Sequence, residues 1–416
     1  MLRALGNLNS DIKQYLLITG NYWAFTLTDG ALRMLVVLYF HQLGYSPLNI
    51  AMLFLFYEVF GIVTNLLGGY LGARIGLNKT MNLGLVLQVV ALLMLTRLDS
   101  LTTIYVMTAQ ALSGIAKDLN KMSAKSAIKL LVPAGASGRL FKWIAILTGS
   151  KNALKGLGFF LGGVLLTTLG FQTAMMAMAG ALAMVWLASL LLLKKELGKS
   201  KSKPKFSTLF SKSPNINWLS AARLCLFASR DVWFVVALPV YLSHAFGWDH
   251  WWVGGFLAAW VILYGLIQSL SPKITGVGKN TRANKSEPNY EQMAWRWALL
   301  LLAVPTGMAF GFSVVEQPLI IIIAGLLAYA MVFALNSSVH SFLIVHYAES
   351  DGVSLDVGFY YMANAMGRLL GTLLSGWVYQ MFGLVACLLI SGVMIALCLI
   401  CTRQLIGAQL KNRAAC

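Results

Sequence analysis

Twelve apolar runs, most about 20 residues long and separated by short polar breaks, occupy most of this 416-residue chain. A bilayer-spanning helix needs roughly 20 apolar residues. The runs cover 18–41, 47–71, 80–97, 102–128, 143–168, 171–193, 217–242, 251–271, 294–313, 319–345, 357–380 and 383–402. All are expected to be helices, because an open sheet edge leaves backbone groups unsatisfied in hydrocarbon. Only 11% of the residues are charged and 58% are hydrophobic, against about a quarter charged in a soluble protein. That balance excludes a water-soluble globule, a disordered chain and a disulfide scaffold. The expected fold class is all-α, a polytopic membrane protein with 12 transmembrane helices.

The long polar break at 194–216 carries Lys194, Lys195, Lys199, Lys201, Lys203, Lys205 and Lys212. It divides the chain into an N-terminal six-helix bundle (1–193), a Lys-rich linker (194–216) and a C-terminal six-helix bundle (217–416). A second polar loop at 273–293 holds Lys273, Lys279, Arg282 and Lys285, and parts of both loops are expected to be disordered. Loops on the side of the N-terminus also carry Arg3, Lys13, Arg74, Lys79, Arg139, Lys142, Arg403, Lys411 and Arg413, whereas the opposite side offers little beyond Arg97. Positive charge collects on the cytoplasmic side, so both termini and the linker are expected there. The net charge of +18 is therefore read as a topology signal with anionic-lipid contact, not as a nucleic-acid site. Met1 to Gln14 has no short apolar core followed by a small-residue cleavage site, and no removable signal peptide is expected. Trp248, Trp251 and Trp252 read as interfacial anchors.

Charge inside the spans is the feature with functional content. Nine cations lie within them: Arg33, Lys117, Lys121, Lys125, Lys151, Lys155, Arg223, Arg230 and Arg368. Four acids accompany them: Asp29, Glu58, Asp118 and Asp231. One cation facing lipid costs about 2.5–3.5 kcal/mol, so nine would cost about 25 kcal/mol, more than a domain's usual stability. They must line water or pair inside the bundle. Asp118 is a candidate partner for a neighbouring lysine, Asp231 for Arg223 or Arg230, and Asp29 for Arg33 or Arg368, but four acids leave five positive charges over.

The helix rise of about 1.5 Å per residue places Asp29, Glu58, Lys117, Lys155, Arg230 and Arg368 near the midpoints of six different spans. Lys117, Lys121, Lys125 and Lys129 recur every four residues along one face, as do Lys151 and Lys155 on the next span. The expected site is a basic ladder reaching the membrane centre, completed by Asn120, Asn336 and His340. Its ligand is a multiply charged, phosphate-like anion, for which Arg supplies bidentate donors and Lys point charges. For Asn336 and His340 an interhelical hydrogen bond is the competing reading. The acids Asp29, Glu58, Asp118 and Asp231 are candidates for proton coupling or charge pairing, with Glu58, which has no obvious partner in sequence, as the leading proton carrier.

Other chemistry finds little support. Cys225, Cys387, Cys398, Cys401 and Cys416 mostly fall in apolar runs and read as small buried hydrophobes, including the pair Cys398 and Cys401. His41, His244, His250, His340 and His346 lack ligand spacing. No nucleophile–base pair stands out, so no enzyme activity, cofactor or metal is expected.

The two halves look like repeats: Asp29 and Asp231 open similar stretches, Leu119-Asn120 parallels Leu335-Asn336, and Gly158 to Gly163 parallels Gly367 to Thr372. This layout resembles the major facilitator superfamily. The loop from Gly69 through Leu71, Gly72, Ala73, Arg74 and Gly76 to Lys79 resembles that superfamily's signature gating loop. Ala73 stands where the signature has an acid, so the charge latch attributed to that acid cannot work in the usual way. Gly158-Phe159-Phe160-Leu161-Gly162-Gly163 resembles the antiporter glycine motif, with Phe159 in place of proline.

Five segments resemble a narrower group, the organoarsenical efflux permeases of bacterial arsenic-resistance operons (ArsJ-type): Asn21 to Arg33, Gln110 to Lys125, Thr148 to Lys155, Ser229 to Pro239 and Tyr361 to Gly371. The resemblance implies export of 1-arseno-3-phosphoglycerate across the bacterial inner membrane. It also implies a functional link to glyceraldehyde-3-phosphate dehydrogenase, which makes that labile compound from arsenate. Arsenic there is a pentavalent oxyanion, for which cysteine ligands are not required. Alternating access with proton coupling, by a monomer, is the expected mechanism. The alternatives are an organophosphate or phosphate antiporter and, in another class, a membrane enzyme or a sensor of anionic metabolites.

Overall fold

The computed structural model describes residues 10–45, 47–133, 135–193, 197–200, 212–276 and 289–415. Every regular element among them is helical. In chain order these are α1 (Ser10–Gln42), α2 (Pro47–Leu53), α3 (Leu55–Ile75), α4 (Leu77–Met94), α5 (Thr103–Leu131) and α6 (Ser137–Leu192). There follow α7 (Pro214–Phe234), α8 (Ala237–Phe246), α9 (His250–Ile274), α10 (Tyr290–Val314), α11 (Pro318–Tyr347) and α12 (Val353–Ala415).

Two of these elements are helical hairpins. Gly170 (φ 74°) breaks α6 and Gly383 (φ 76°) breaks α12, at a backbone conformation that only glycine adopts without strain. Nine helices of the described residues are long and apolar enough to cross a membrane. Dividing the two hairpins and adding the charged α5 is consistent with twelve spans. The start signals are local: Thr102, Ser213, Asp249 and Asn289 each accept a backbone N–H three residues on, at the heads of α5, α7, α9 and α10. Two expected spans are interrupted, at Phe54 between α2 and α3 and at Val235-Val236 between α7 and α8. The apolar run continues through both breaks, so hydropathy does not reveal them.

The outer surface is apolar. Leu191 is 84% and Phe160 75% exposed, an arrangement suited to lipid and unsuited to water. Together with the spans this makes the chain a multi-pass membrane protein. It forms two compact units: 1–143 with 150–210 and 348–362, and 144–149 with 211–347 and 363–416. The first is centred on Phe25, Leu32, Leu35, Leu85 and Phe171, the second on Trp233, Trp260, Tyr329, Phe333 and Leu388. Arg3, Lys194, Lys195, Lys201, Lys203, Lys205, Lys279, Arg282, Lys285 and Cys416 lie outside the described residues, as do the side chains of Trp251, Lys411 and Arg413.

Glycine seams bring the charged helices together. A Cβ on Gly158 would lie 2.7 Å from the Leu27 carbonyl oxygen and 3.0 Å from Gly30 Cα, and one on Gly162 would meet Ala31. In the second unit a Cβ on Gly371 would lie 2.8 Å from the Ala228 carbonyl oxygen, and one on Gly367 would meet Leu224. The paired motifs thus do the same work in each unit, letting a glycine face seat directly on the backbone of a charged helix.

Candidate polyanion site

In the first unit the charged groups gather around an aromatic ring. Tyr57 donates its hydroxyl to Asp29, 2.8 Å from Oδ1 and 3.1 Å from Oδ2. The Arg33 guanidinium lies 4.1 Å from the centre of that ring and the Lys117 ammonium 3.8 Å from it. Arg33 also pairs with Glu58 at 2.8 Å. Sequence reading gave Glu58 no partner; the structure supplies one from the neighbouring helix. Asp29 is held by a phenol rather than by Arg33 or Arg368, the partners suggested for it. Asp118 pairs with Lys121 at 2.5 Å and reaches Lys117 at 3.9 Å, as suggested. It approaches α3 where Gly61 leaves room, since a Cβ there would sit 3.0 Å from Asp118 Oδ2.

Farther along α5, Lys121 and Lys125 lie 4.7 and 4.8 Å from the ring centre of Tyr361, and Lys125 touches the Tyr361 hydroxyl. On α6, Lys155 lies 5.8 Å from the Phe159 ring and Lys151 donates to Asn152 at 3.4 Å. The seam between Gly30 and Gly158 sets the Lys155 backbone against α1.

In the second unit Asp231 holds two arginines, Arg230 at 2.5 Å and Arg368 at 3.4 Å. Arg223, suggested as a partner of Asp231, donates instead to Asn364 at 2.9 Å and to the carbonyl and hydroxyl of Ser337 at 3.2 and 3.0 Å. Arg223 and Arg230 lie 4.1 and 4.9 Å from the Phe227 ring. Asn336 and His340 are fully buried, with no hydrogen-bond partner for either side chain among the described residues. Asn120 is also fully buried and donates to the Ala116 carbonyl of its own helix.

The Asp118 and Asp231 pairs are graded in accessibility. The Asp118 and Asp231 side chains are 2% and 0% exposed, and Asp29 is buried as well. Their basic partners stand in front of them, with Lys121 at 15%, Arg230 at 16% and Arg368 at 34%. Asp29, Asp118 and Asp231 therefore form a backing layer, whereas Glu58 at 36% is more exposed than Arg33 at 21%, and Lys125 and Arg223 are buried. Sequence reading missed Tyr57, Tyr361 and Phe227, and left Arg223 out of the site. Each reaches its partner from another helix or across a helix turn, so no local motif marks it.

The loop that resembles the superfamily's gating signature is held by hydrogen bonds to backbone carbonyls. Gly69 accepts the Ser354 hydroxyl at 2.8 Å, and a Cβ on Gly69 would lie 3.2 Å from Gly358 Cα. The Ala73 carbonyl accepts the Ser200 N–H at 2.8 Å, and Leu77 donates to the Leu197 carbonyl at 2.8 Å. Gly76 turns the chain at φ 99°. Arg74 is exposed and donates to Tyr70 at 3.1 Å. Backbone carbonyls and a serine thus occupy the place where an acid was missing from the signature.

Residues 18–334 match the Major Facilitator Superfamily. No curated protein matches the chain. Among solved structures it is similar to the human organic anion transporter MFSD10 (16% identity, TM-score 0.73, covering 95% of this chain and 100% of that one). It is also similar to a bacterial homologue of the iron transporter ferroportin in an outward-facing state (12% identity, TM-score 0.72, 96% and 100%). A third is the E. coli fucose:proton symporter FucP (14% identity, TM-score 0.71, 95% and 99%). At these identities the likeness shows the fold alone. The repeated glycine seams, the apolar exterior and the match over residues 18–334 lead to one assignment: the chain belongs to the Major Facilitator Superfamily, whose fold moves small solutes across membranes.

Proposed function

We propose that this protein is a secondary active transporter of a multiply charged organic anion and that its substrate is 1-arseno-3-phosphoglycerate, exported in arsenate resistance. The observation that carries the anionic site is the burial of Asp118 and Asp231 behind more accessible cations, with Arg368 at 34% and Asp231 at 0%. Accessible cations at mid-span are too costly to face lipid, so their open side faces water and a ligand that can satisfy them. The phosphate or arsenate end of the proposed substrate suits a cluster of basic groups of this kind. The resemblance of five charged segments to ArsJ-type permeases supplies the arsenical.

In this reading Arg33, Lys117, Lys121, Lys125, Lys151, Lys155, Arg230 and Arg368 bind the anion, with Asn120, Asn336 and His340 as polar support. Asp29, Glu58, Asp118 and Asp231 pair with cations or carry protons, and the loop of Gly69, Arg74 and Gly76 gates alternating access. The protein acts as a monomer of two six-helix bundles, 1–193 and 217–416, joined by the linker 194–216. It sits in the bacterial inner membrane with both termini cytoplasmic, and it is linked to glyceraldehyde-3-phosphate dehydrogenase by supply of substrate.

The test is uptake into everted membrane vesicles supplied with arsenate, glyceraldehyde-3-phosphate and the dehydrogenase. Uptake of arsenic that requires all three, and that is lost in Lys121→Gln, Lys155→Gln and Arg368→Gln proteins still present in the membrane, is the expected result. Full transport in all three variants refutes the site. A second reading, an organophosphate or phosphate antiporter, rests on the same basic groups, which any phosphate ester would satisfy. Uptake of 3-phosphoglycerate without arsenate selects it. Chemical change of the substrate, followed by product analysis, would select a membrane enzyme instead.

A further inference from the structure

The excess of cations over carboxylates raises a question of assembly: what holds several positive groups side by side before any anion arrives? Aromatic faces do so in the first unit. The Tyr57 ring is shared by Arg33 at 4.1 Å and Lys117 at 3.8 Å. Tyr361 serves Lys121, 4.7 Å from its ring centre, and Lys125, which meets its hydroxyl at the ring edge. The same pattern recurs in the second unit, where Phe227 lies near both Arg223 and Arg230.

We propose that Tyr57 and Tyr361 are positioning residues that set polyanion specificity: each tyrosine holds two cations at a fixed separation without adding a negative charge of its own. This rests on the polyanion reading given above and names how that site is organised. A carboxylate in either place would attract the cations as well, but it would cancel one charge and compete with the incoming anion. A ring attracts a cation through its quadrupole and carries no net charge, so the positive field survives. The attraction also offsets the repulsion between the two cations that share the tyrosine.

Each ring is itself fixed. Tyr57 is buried and its hydroxyl is tied to Asp29, so the orientation of the plate is set from the acidic backing layer. Tyr361 is buried with its hydroxyl against Lys125. Along α5, Lys117 meets the first ring and Asp118, Lys121 meets Asp118 and the second ring, and Lys125 meets the Tyr361 hydroxyl. Cations held in adjacent pairs suit an anion with several acidic oxygens, and they give a monoanion no comparable advantage.

The experiment is calorimetric titration of the purified full-length chain in detergent with inorganic pyrophosphate, 3-phosphoglycerate and, as a monoanion, lactate. Lys121→Gln serves as the benchmark for loss of the site. Tyr57→Phe and Tyr361→Phe keep the ring but lose the hydroxyl contacts to Asp29 and Lys125, and are expected to weaken pyrophosphate binding about threefold, whereas Tyr57→Leu and Tyr361→Leu weaken it roughly tenfold and erode the preference over lactate. A fluorinated phenylalanine incorporated at position 361 keeps the shape but withdraws electrons from the ring face, and it should weaken binding relative to Tyr361→Phe. A purely structural role would not move that comparison.

Leu variants that bind like wild type while Lys121→Gln does not, or Phe variants that lose as much as Lys121→Gln, overturn the aromatic role and leave the polyanion reading standing. Equal binding by the Phe and fluorinated proteins overturns it too, and does not depend on the Leu variants folding. A wild-type protein that binds neither pyrophosphate nor 3-phosphoglycerate removes both proposals.

Discussion

Asp231 is the residue on which the second unit's charge depends. It is fully buried, and two arginines, Arg230 and Arg368, converge on it. Removing one partner of a buried pair costs far more than the pair contributes, because the remaining charge stays desolvated. Asp231→Asn is therefore expected to cost about 3–5 kcal/mol, read as a large fall in melting temperature in detergent. The Arg33–Glu58 pair is different, with side chains 21% and 36% exposed. Solvent screens it, so Glu58→Gln should cost about 1 kcal/mol or less and shift the melting temperature little, even where it changes transport. All four acids lie on helices, as the sequence led one to expect. The sequence could not show that Glu58 meets Arg33 or that Asp29 meets a phenol, since those partners lie 25 and 28 residues away.

At the scale of the element, the glycine seams decide how closely charged helices approach. Gly158 and Gly371 have no room for a side chain: a Cβ would sit 2.7 Å from the Leu27 carbonyl oxygen and 2.8 Å from that of Ala228, respectively. Gly163, one residue beyond Gly162, has its nearest neighbour, Leu38 Cδ1, at 4.0 Å. Gly158→Ala and Gly371→Ala are expected to destabilise by about 1–3 kcal/mol through overpacking. Gly163→Ala should be neutral, or stabilising by up to about 1 kcal/mol through helix propensity. Thermal melting of the three variants checks this order. The motif containing these glycines was visible in the sequence because glycine spacing is local. Which of them face a neighbour was not visible, because that depends on the rotation of α6 and α12 about their own axes.

For the whole molecule, the proposed polyanion transport has an electrical consequence. Each elementary charge crossing a membrane gains or loses about 2.3 kcal/mol per 100 mV. Export of the polyanion itself from a negative interior is driven by the potential. In everted vesicles, where the lumen is positive, an uncoupler should abolish accumulation. Collapse of the potential alone, with potassium and valinomycin, should remove most of it. Accumulation that survives both treatments would show that transport is not driven this way.

The sequence by itself determined that this is an all-helical membrane protein, since hydrocarbon leaves a backbone few other ways to satisfy its polar groups. It also determined that more cations than acids lie within the spans, since that is a matter of counting along apolar runs. Tertiary structure alone decided that Asp118 and Asp231 lie behind their basic partners, that α7 ends at Phe234 within a continuous apolar run, and that Tyr57 and Tyr361 each serve two cations. The physical reason is the range of the forces involved. Transfer from water to lipid acts on each segment separately and can be read residue by residue. Ion pairs and ring contacts act over a few ångströms between helices, and only packing determines which side chains come that close.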